Sequence, residues 1–156
     1  MFQCNFLFEK VPFLLLIYSD VKFAAITITM KKILIIDDEA EVVKVLQICL
    51  EQHGYKVVTS YDGENGLKKV KSENPDLVIL DIMLPDMDGY QVCEKIKADP
   101  STKDIPVIML TVKSMGEDVE KALEKKADWY IVKPYDEKYL LKKIDYLLQK
   151  KSGLRR

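Results

Sequence analysis

Residues 77–89 read Leu77-Val78-Ile79-Leu80-Asp81-Ile82-Met83-Leu84-Pro85-Asp86-Met87-Asp88-Gly89. Four apolar residues in a row, without polar alternation, predict a strand buried on both faces, as inside a parallel sheet. The run breaks on one acid, Asp81, and then on a loop carrying Pro85 and Gly89. The same grammar recurs along the chain. Ile33-Leu34-Ile35-Ile36 runs into Asp37-Asp38-Glu39, Pro106 to Leu110 into Thr111, and Trp129 to Val132 into Lys133-Pro134. Tyr55 to Ser60 supplies one more strand.

Between these strands the apolar spacing changes to helical. Val42, Val43, Leu46, Cys49 and Leu50 recur on one face before Gly54 stops the helix. An Asp62-Gly63 turn opens a short helix with Leu67 and Val70 that Pro75 ends, and Tyr90, Val92, Cys93 and Ile96 mark a third that Pro100 closes. A fourth helix is predicted around Val119, Ala122 and Leu123, and a fifth from about Asp136 to Gln149. Asp38 reads as a cap of the first helix as well as a site residue, because carboxylates suit helix N-termini. Five strands alternating with five helices predict an α/β, doubly wound parallel sheet covered on both faces.

Composition narrows the function classes. The chain has 156 residues, with 24 Lys plus Arg against 25 Asp plus Glu, so a basic nucleic-acid-binding face is not expected. Cys4, Cys49 and Cys93 form no C-x-x-C pair and lack a neighbouring second ligand type, which points away from disulfides and zinc and toward a reducing cytoplasm. His53, just before Gly54, reads as a helix C-terminal residue rather than a metal ligand. Lys142-Lys143 and Lys150-Lys151 read as a solvated helix face.

The first thirty residues differ from the rest. They hold four charged residues (Glu9, Lys10, Asp20, Lys22) and all five phenylalanines. The expected division is an apolar leader over 1–30, a domain over 31–150 and a tail over 151–156. For the leader, an upstream extension from an early start codon comes first. An extra strand or amphipathic arm, suggested by Ile26, Ile28 and Met30 alternating with Thr27 and Thr29, comes second. A membrane anchor comes last, because Asp20 and Lys22 interrupt the apolar run.

The chemistry follows from the strand ends. Ligands of open α/β sheets bind outside the carboxyl ends of the strands, so Asp37, Asp38, Asp81, Thr111 and Lys133 are expected in one crevice. Three carboxylates there repel one another, and oxygen-only ligands favour Mg²⁺ as the compensating ion. With Lys133 and Thr111 to take phosphoryl oxygens, one carboxylate can act as a nucleophile toward phosphorus and give an aspartyl phosphate.

Asp37-Asp38, the Asp81-to-Gly89 stretch, Thr111 and Lys133-Pro134 together resemble the receiver domain of two-component response regulators, over about residues 31–150. The resemblance implies a flavodoxin-like sheet of order 2-1-3-4-5. It implies Asp81 as phosphoacceptor from a sensor histidine kinase or phosphotransfer protein. It implies Asp38 as a direct Mg²⁺ ligand, Asp37 acting mainly through water, and the backbone carbonyl of Met83 as a further ligand. Thr111 and Lys133 match the family's hydroxyl and lysine, Tyr130 its signalling aromatic, and the Lys133–Pro134 peptide is expected to be cis. Three positions depart from the family pattern: Val112, Lys126 and Trp129. The last is often an aspartate in DNA-binding regulators, which puts their charged dimer in doubt.

The sequence-level expectation is therefore a stand-alone, chemotaxis-regulator-like switch of a bacterial or archaeal pathway. It is not an enzyme beyond its own phosphorylation and dephosphorylation. Its output is a protein target met through the fourth helix, fifth strand and fifth helix. It has no direct nucleic-acid contact and no membrane span, and is a monomer or a weak phosphorylation-dependent dimer. The rivals are a pseudo-receiver that only binds a partner and an aspartyl-phosphate-type phosphatase, which wants a second acid where this chain has Met83.

Overall fold

A computed structural model describes residues 30–111 and 127–153, with Thr111 and Ser152 described by their backbones alone. In chain order the elements are β1 (Lys32–Ile36), α1 (Ala40–Gln52), β2 (Lys56–Ser60), α2 (Gly63–Glu73), β3 (Leu77–Asp81), α3 (Gly89–Ala98), β4 (Val107–Thr111), β5 (Trp129–Val132) and α4 (Glu137–Gly153). The helix expected around Val119, Ala122 and Leu123 lies outside the described residues, as do Val112, Met115, Lys126, the leader up to residue 29 and residues 154–156.

The strands form one sheet of order β2-β1-β3-β4-β5, as the resemblance implies. Every neighbouring pair is parallel. All five residues of the central strand β3 are buried, which is why its sequence lacks alternation. Side chains alternate between two layers. Ile33, Ile35, Ile79 and Ile108 pack with Leu46 and Leu50 of α1 and with Leu140, Ile144 and Leu147 of α4. Leu34, Ile36, Val78 and Leu80 face the other way, onto Val70 of α2 and Val92 and Ile96 of α3. Each such fully buried Leu or Ile contributes roughly 1.5–3 kcal/mol relative to exposure.

The helix ends refine the sequence reading. Glu39, not Asp38, is the residue at the N-cap of α1, and it makes no side-chain capping bond. Asp37 Oδ1 instead accepts from the Glu39 N–H at 2.9 Å. Gly54, at φ 82°, turns the chain out of α1. Asp62 caps α2 by accepting from Asn65 N–H at 2.7 Å, and that helix ends on a left-handed Asn74 ahead of Pro75. α4 continues past Gln149 to Gly153, so Lys150 and Lys151 are helical.

Register brings the polar strand ends together. Ile36 pairs with Leu80, so Asp37 and Asp81 leave adjacent strands side by side. Thr111 pairs with Val132, so Lys133 follows immediately beyond. The loop after β3 returns close to its own strand: a Cβ on Gly89 would lie 2.2 Å from the Asp81 carbonyl oxygen and 2.8 Å from Ile82 Cα. Both are backbone atoms that cannot swing aside. Gly89→Ala is expected to lower unfolding stability by about 1–3 kcal/mol, read from urea denaturation. An unchanged midpoint would show that the loop can open without cost.

Candidate functional site

Three residues from three strand ends meet at the carboxyl edge of the sheet. Lys133 Nζ lies 2.9 Å from Asp37 Oδ2 and 2.9 Å from Asp81 Oδ1. Both carboxylates are buried. Their remaining oxygens are also occupied, Asp37 Oδ1 by the Glu39 N–H and Asp81 Oδ2 by the Met83 N–H at 2.7 Å. Glu39 stands at the rim, 3.8 Å from Lys133 Nζ. The Lys133–Pro134 peptide is cis.

Burial pushes the Asp81 carboxyl above the usual carboxylate range, with the Asp37 charge adding to the rise, and Lys133 offsets only part of it. Burial works against the Lys133 ammonium, but its hydrogen bonds to Asp37 and Asp81 outweigh that and hold its pKa above the usual value. Both shifts mean a proton held more tightly in the folded state. For Asp81, stability is favoured below the unfolded carboxylate pKa and is lost as pH rises through the folded one. For Lys133, the favourable contribution is complete at neutral pH and is lost only as pH rises through its elevated pKa.

The other expected site residues are placed as follows. Asp38 is exposed beside the buried Asp37 and Asp81, and Met83 is exposed as a side chain while its N–H holds Asp81. Thr111 closes β4 in register with Val132. Tyr130 is half-buried on β5, in register with Met109 and packed on the α2–α3 layer.

Lys133, expected in the same crevice as the acids, sits between the two buried ones. Among the described residues, Asp37, Asp38 and Asp81 do not bring one oxygen each within 4.8 Å of one another. The donor set still fits Mg²⁺, which binds through one or two carboxylates and keeps several waters. Lys133 leaves one net negative charge on the Asp37–Asp81 pair, and exposed Asp38 adds a second. Asp38, Asp81 and the Met83 carbonyl are the residues that would hold the ion, and it would supply neutralising charge there.

Asp86 is a residue the sequence reading missed. Its carboxylate accepts from the Gly63 and Glu64 N–H groups, both at 2.8 Å, and so ties the loop after β3 to the first turn of α2. These bonds hold its carboxyl below the usual range. The signal was an acid directly after Pro85 in the loop, but its partner helix is distant in sequence.

Trp129 is half-buried and packs on the α1–α4 layer. Its ring meets Tyr146 edge-on at 6.3 Å, Lys143 Nζ lies 3.7 Å above it, and its indole N–H reaches the Tyr139 hydroxyl at 3.4 Å. Tyr139 and Tyr146 remain exposed. Trp129 thus packs inward on the α1–α4 layer and also borders the exposed tyrosines of α4.

Removing the central cation leaves two buried acids uncompensated. Lys133→Met is expected to destabilise the fold by about 3 kcal/mol at neutral pH. The loss should shrink as pH falls through the carboxylate range, and in an Asp81→Asn background. An equal loss in both backgrounds, from parallel urea melts, would show that Lys133 acts through its alkyl packing.

Known proteins resemble this chain in sequence and in fold. A family profile described as "Response regulator receiver domain" matches residues 33–145. The alkaline phosphatase synthesis transcriptional regulatory protein PhoP of Bacillus subtilis is 41% identical over 120 residues, covering 77% of this chain and 49% of its own length. Response regulator ArlR of Staphylococcus aureus is 42% identical over 121 residues, covering 78% of this chain and 54% of its own. The chain thus spans about half the length of the curated relatives it matches. The expectation of a stand-alone chain without nucleic-acid contact accordingly rests on the sequence reading alone. Among solved structures, a CheY-like response regulator receiver domain protein from Methanospirillum hungatei superposes with a TM-score of 0.76 at 33% identity, over 80% of this chain and 98% of that one. No described helix is long and apolar enough to cross a membrane. From its strand order and these relatives, the chain belongs to the response regulator receiver domain family.

Proposed function

We propose that the chain is a phosphorylation-controlled switch in which Asp81 accepts a phosphoryl group from a histidine kinase or phosphotransfer protein. The observation that carries this reading is the Lys133 ammonium set 2.9 Å from an oxygen of each buried acid, at the end of the sheet where ligands of this fold bind. An Asp81 oxygen forms the new bond to phosphorus as the bond to the donor nitrogen breaks, and the leaving imidazole takes a proton from solvent. Mg²⁺, when bound, supplies charge that offsets the phosphoryl oxygens. Lys133 takes one of those oxygens, and the Thr111 hydroxyl donates to another. Asp38 and the Met83 carbonyl belong to the ion, and Asp37 holds Lys133 and acts through water.

The downstream consequence is a shift between two existing conformations. Thr111 is drawn toward the phosphoryl group, and Tyr130 turns into the space released. The surface that reports this is formed by the helix expected around residues 119–123, β5 and α4, with Trp129, Tyr139 and Tyr146 as protein-contact groups. Exposed aromatics beside lysines suit a protein partner in the cytoplasm. A purely binding pseudo-receiver is disfavoured by the complete acid set. A phosphatase is disfavoured by Met83, which stands where a second acid would be needed.

The reading is tested with a small phosphodonor and Mg²⁺. The wild-type chain should gain one acid-labile phosphate and Asp81→Asn none. Asp38→Ala should weaken Mg²⁺ binding by roughly tenfold or more in calorimetry. Phosphate on the Asn variant at the normal rate would remove Asp81 from its role.

The output face has its own check. Amide hydrogen exchange, compared with and without phosphodonor, should change most across residues 129–146 and stay flat in Asp81→Asn. Changes confined to the loops around Asp37 and Met83 would eliminate this face as the reporter.

A further inference from the structure

We propose that Cys49, His53 and Glu137 form a second metal site, one that takes a borderline transition-metal dication of the zinc class. A thiol sulfur, a ring nitrogen and a carboxylate oxygen of these three residues all lie within 4.8 Å of one another. The sequence reading took His53 as a helix-end residue, and the fold sets its ring beside the Cys49 sulfur and the Glu137 carboxylate. Four residues separate Cys49 from His53, so the end of α1 presents both on one face. Glu137 comes to them from the first turn of α4.

The local bonding prepares the ligands. His53 Nδ1 lies 2.8 Å from the Cys49 carbonyl oxygen. A proton donated there leaves the lone pair on Nε2, the arrangement by which backbone carbonyls orient metal-bound histidines. The Glu137 carboxylate stands beside the Cys49 thiol, whose pKa burial and that carboxylate push up to about 11, so an ion has to displace the thiol proton to bind there. Cys49 is half-buried while His53 and Glu137 are exposed, which leaves an approach from solvent. Zinc-class bonds of about 2.3 Å to sulfur and about 2.0–2.2 Å to nitrogen and oxygen require the ligands to close in around the ion, and the two exposed side chains are the ones that can turn to do so.

The donor chemistry separates this site from the acidic one. Sulfur and imidazole suit zinc-class ions, whereas Mg²⁺ prefers oxygen alone. Three protein ligands leave a fourth position for water. As the metal–sulfur bond forms, the thiol proton passes to solvent. A bound ion cross-links α1 to α4, four residues beyond Lys133, and stabilises the fold by binding only the folded state.

The test uses the tag-free full chain, first stripped of metal. One Co²⁺ per chain should bind with a sulfur-to-cobalt charge-transfer band in the near ultraviolet. Cys49→Ser should lose that band, while Cys93→Ser and Cys4→Ser keep it. His53→Gln and Glu137→Gln, both changed at exposed positions, should weaken Zn²⁺ binding by at least about tenfold in calorimetry. Zn²⁺ should raise the melting temperature of the wild type and not of these two variants. Excess Mg²⁺ should leave the Zn²⁺ isotherm unmoved. A band that persists in Cys49→Ser, wild-type affinity in both exposed variants, or displacement of Co²⁺ by Mg²⁺ would each overturn the site.

Discussion

One ammonium group held between two buried carboxylates organises this molecule. Asp37 and Asp81 lie side by side because β1 and β3 are neighbours in register, and nothing in the apolar core beneath them can stabilise two negative charges. A buried acid without a partner costs several kcal/mol. Lys133 supplies the partner from the end of β5, two strands away from β3, so the charge cluster ties together strands that β4 separates. Around the cluster the loops are fixed by short backbone contacts. Gly89 lets the chain pass against the Asp81 carbonyl, and Asp86 fastens the same loop to α2.

Much of this was legible in the residues, for definable reasons. Strands such as Leu77–Leu80 announce themselves because burial on both faces demands continuous apolar side chains. Their polar terminal residues stand out against that background. Strand order came from the resemblance, since apolar runs say nothing about which strand neighbours which. Side-chain direction at the strand ends was not legible at all. Asp38 and Glu39 are both plausible first-turn acids by type, and the choice falls on Glu39 only because Asp37 Oδ1 takes its N–H. Likewise the acids and Lys133 were expected in one crevice, but the residues alone do not say that Lys133 bridges Asp37 and Asp81 while Asp38 faces solvent. The Cys49–His53 spacing was readable as one helix face. Glu137 was not, because tertiary packing alone brings the start of α4 to the end of α1.

The edge strand β5 divides its labour by the two-residue period of a strand. Trp129 and Ile131 face the layer of α1 and α4, and Tyr130 faces the opposite layer beside Met109. Trp129 is thereby joined to Tyr146 and Lys143 on the surface of α4, while Tyr130 lies on the strand that leads into Lys133. On the proposed reading, a change at Lys133 reaches two different layers through adjacent residues. An edge strand has a sheet neighbour on one side only, so such a rearrangement disturbs fewer hydrogen bonds than it would in β3.

The electrostatics place site and stability in opposition. A packed apolar pair would serve the fold at least as well as Asp81 with its elevated pKa. On the proposed reading, a desolvated acid beside another acid serves chemistry that needs the carboxylate oxygen held in place. The Met83 N–H and the Lys133 ammonium fix both oxygens of Asp81 before any substrate arrives. On the proposed reading, an incoming phosphoryl group then meets a nucleophile that is already oriented, and the reorganisation is completed during folding rather than at the moment of transfer.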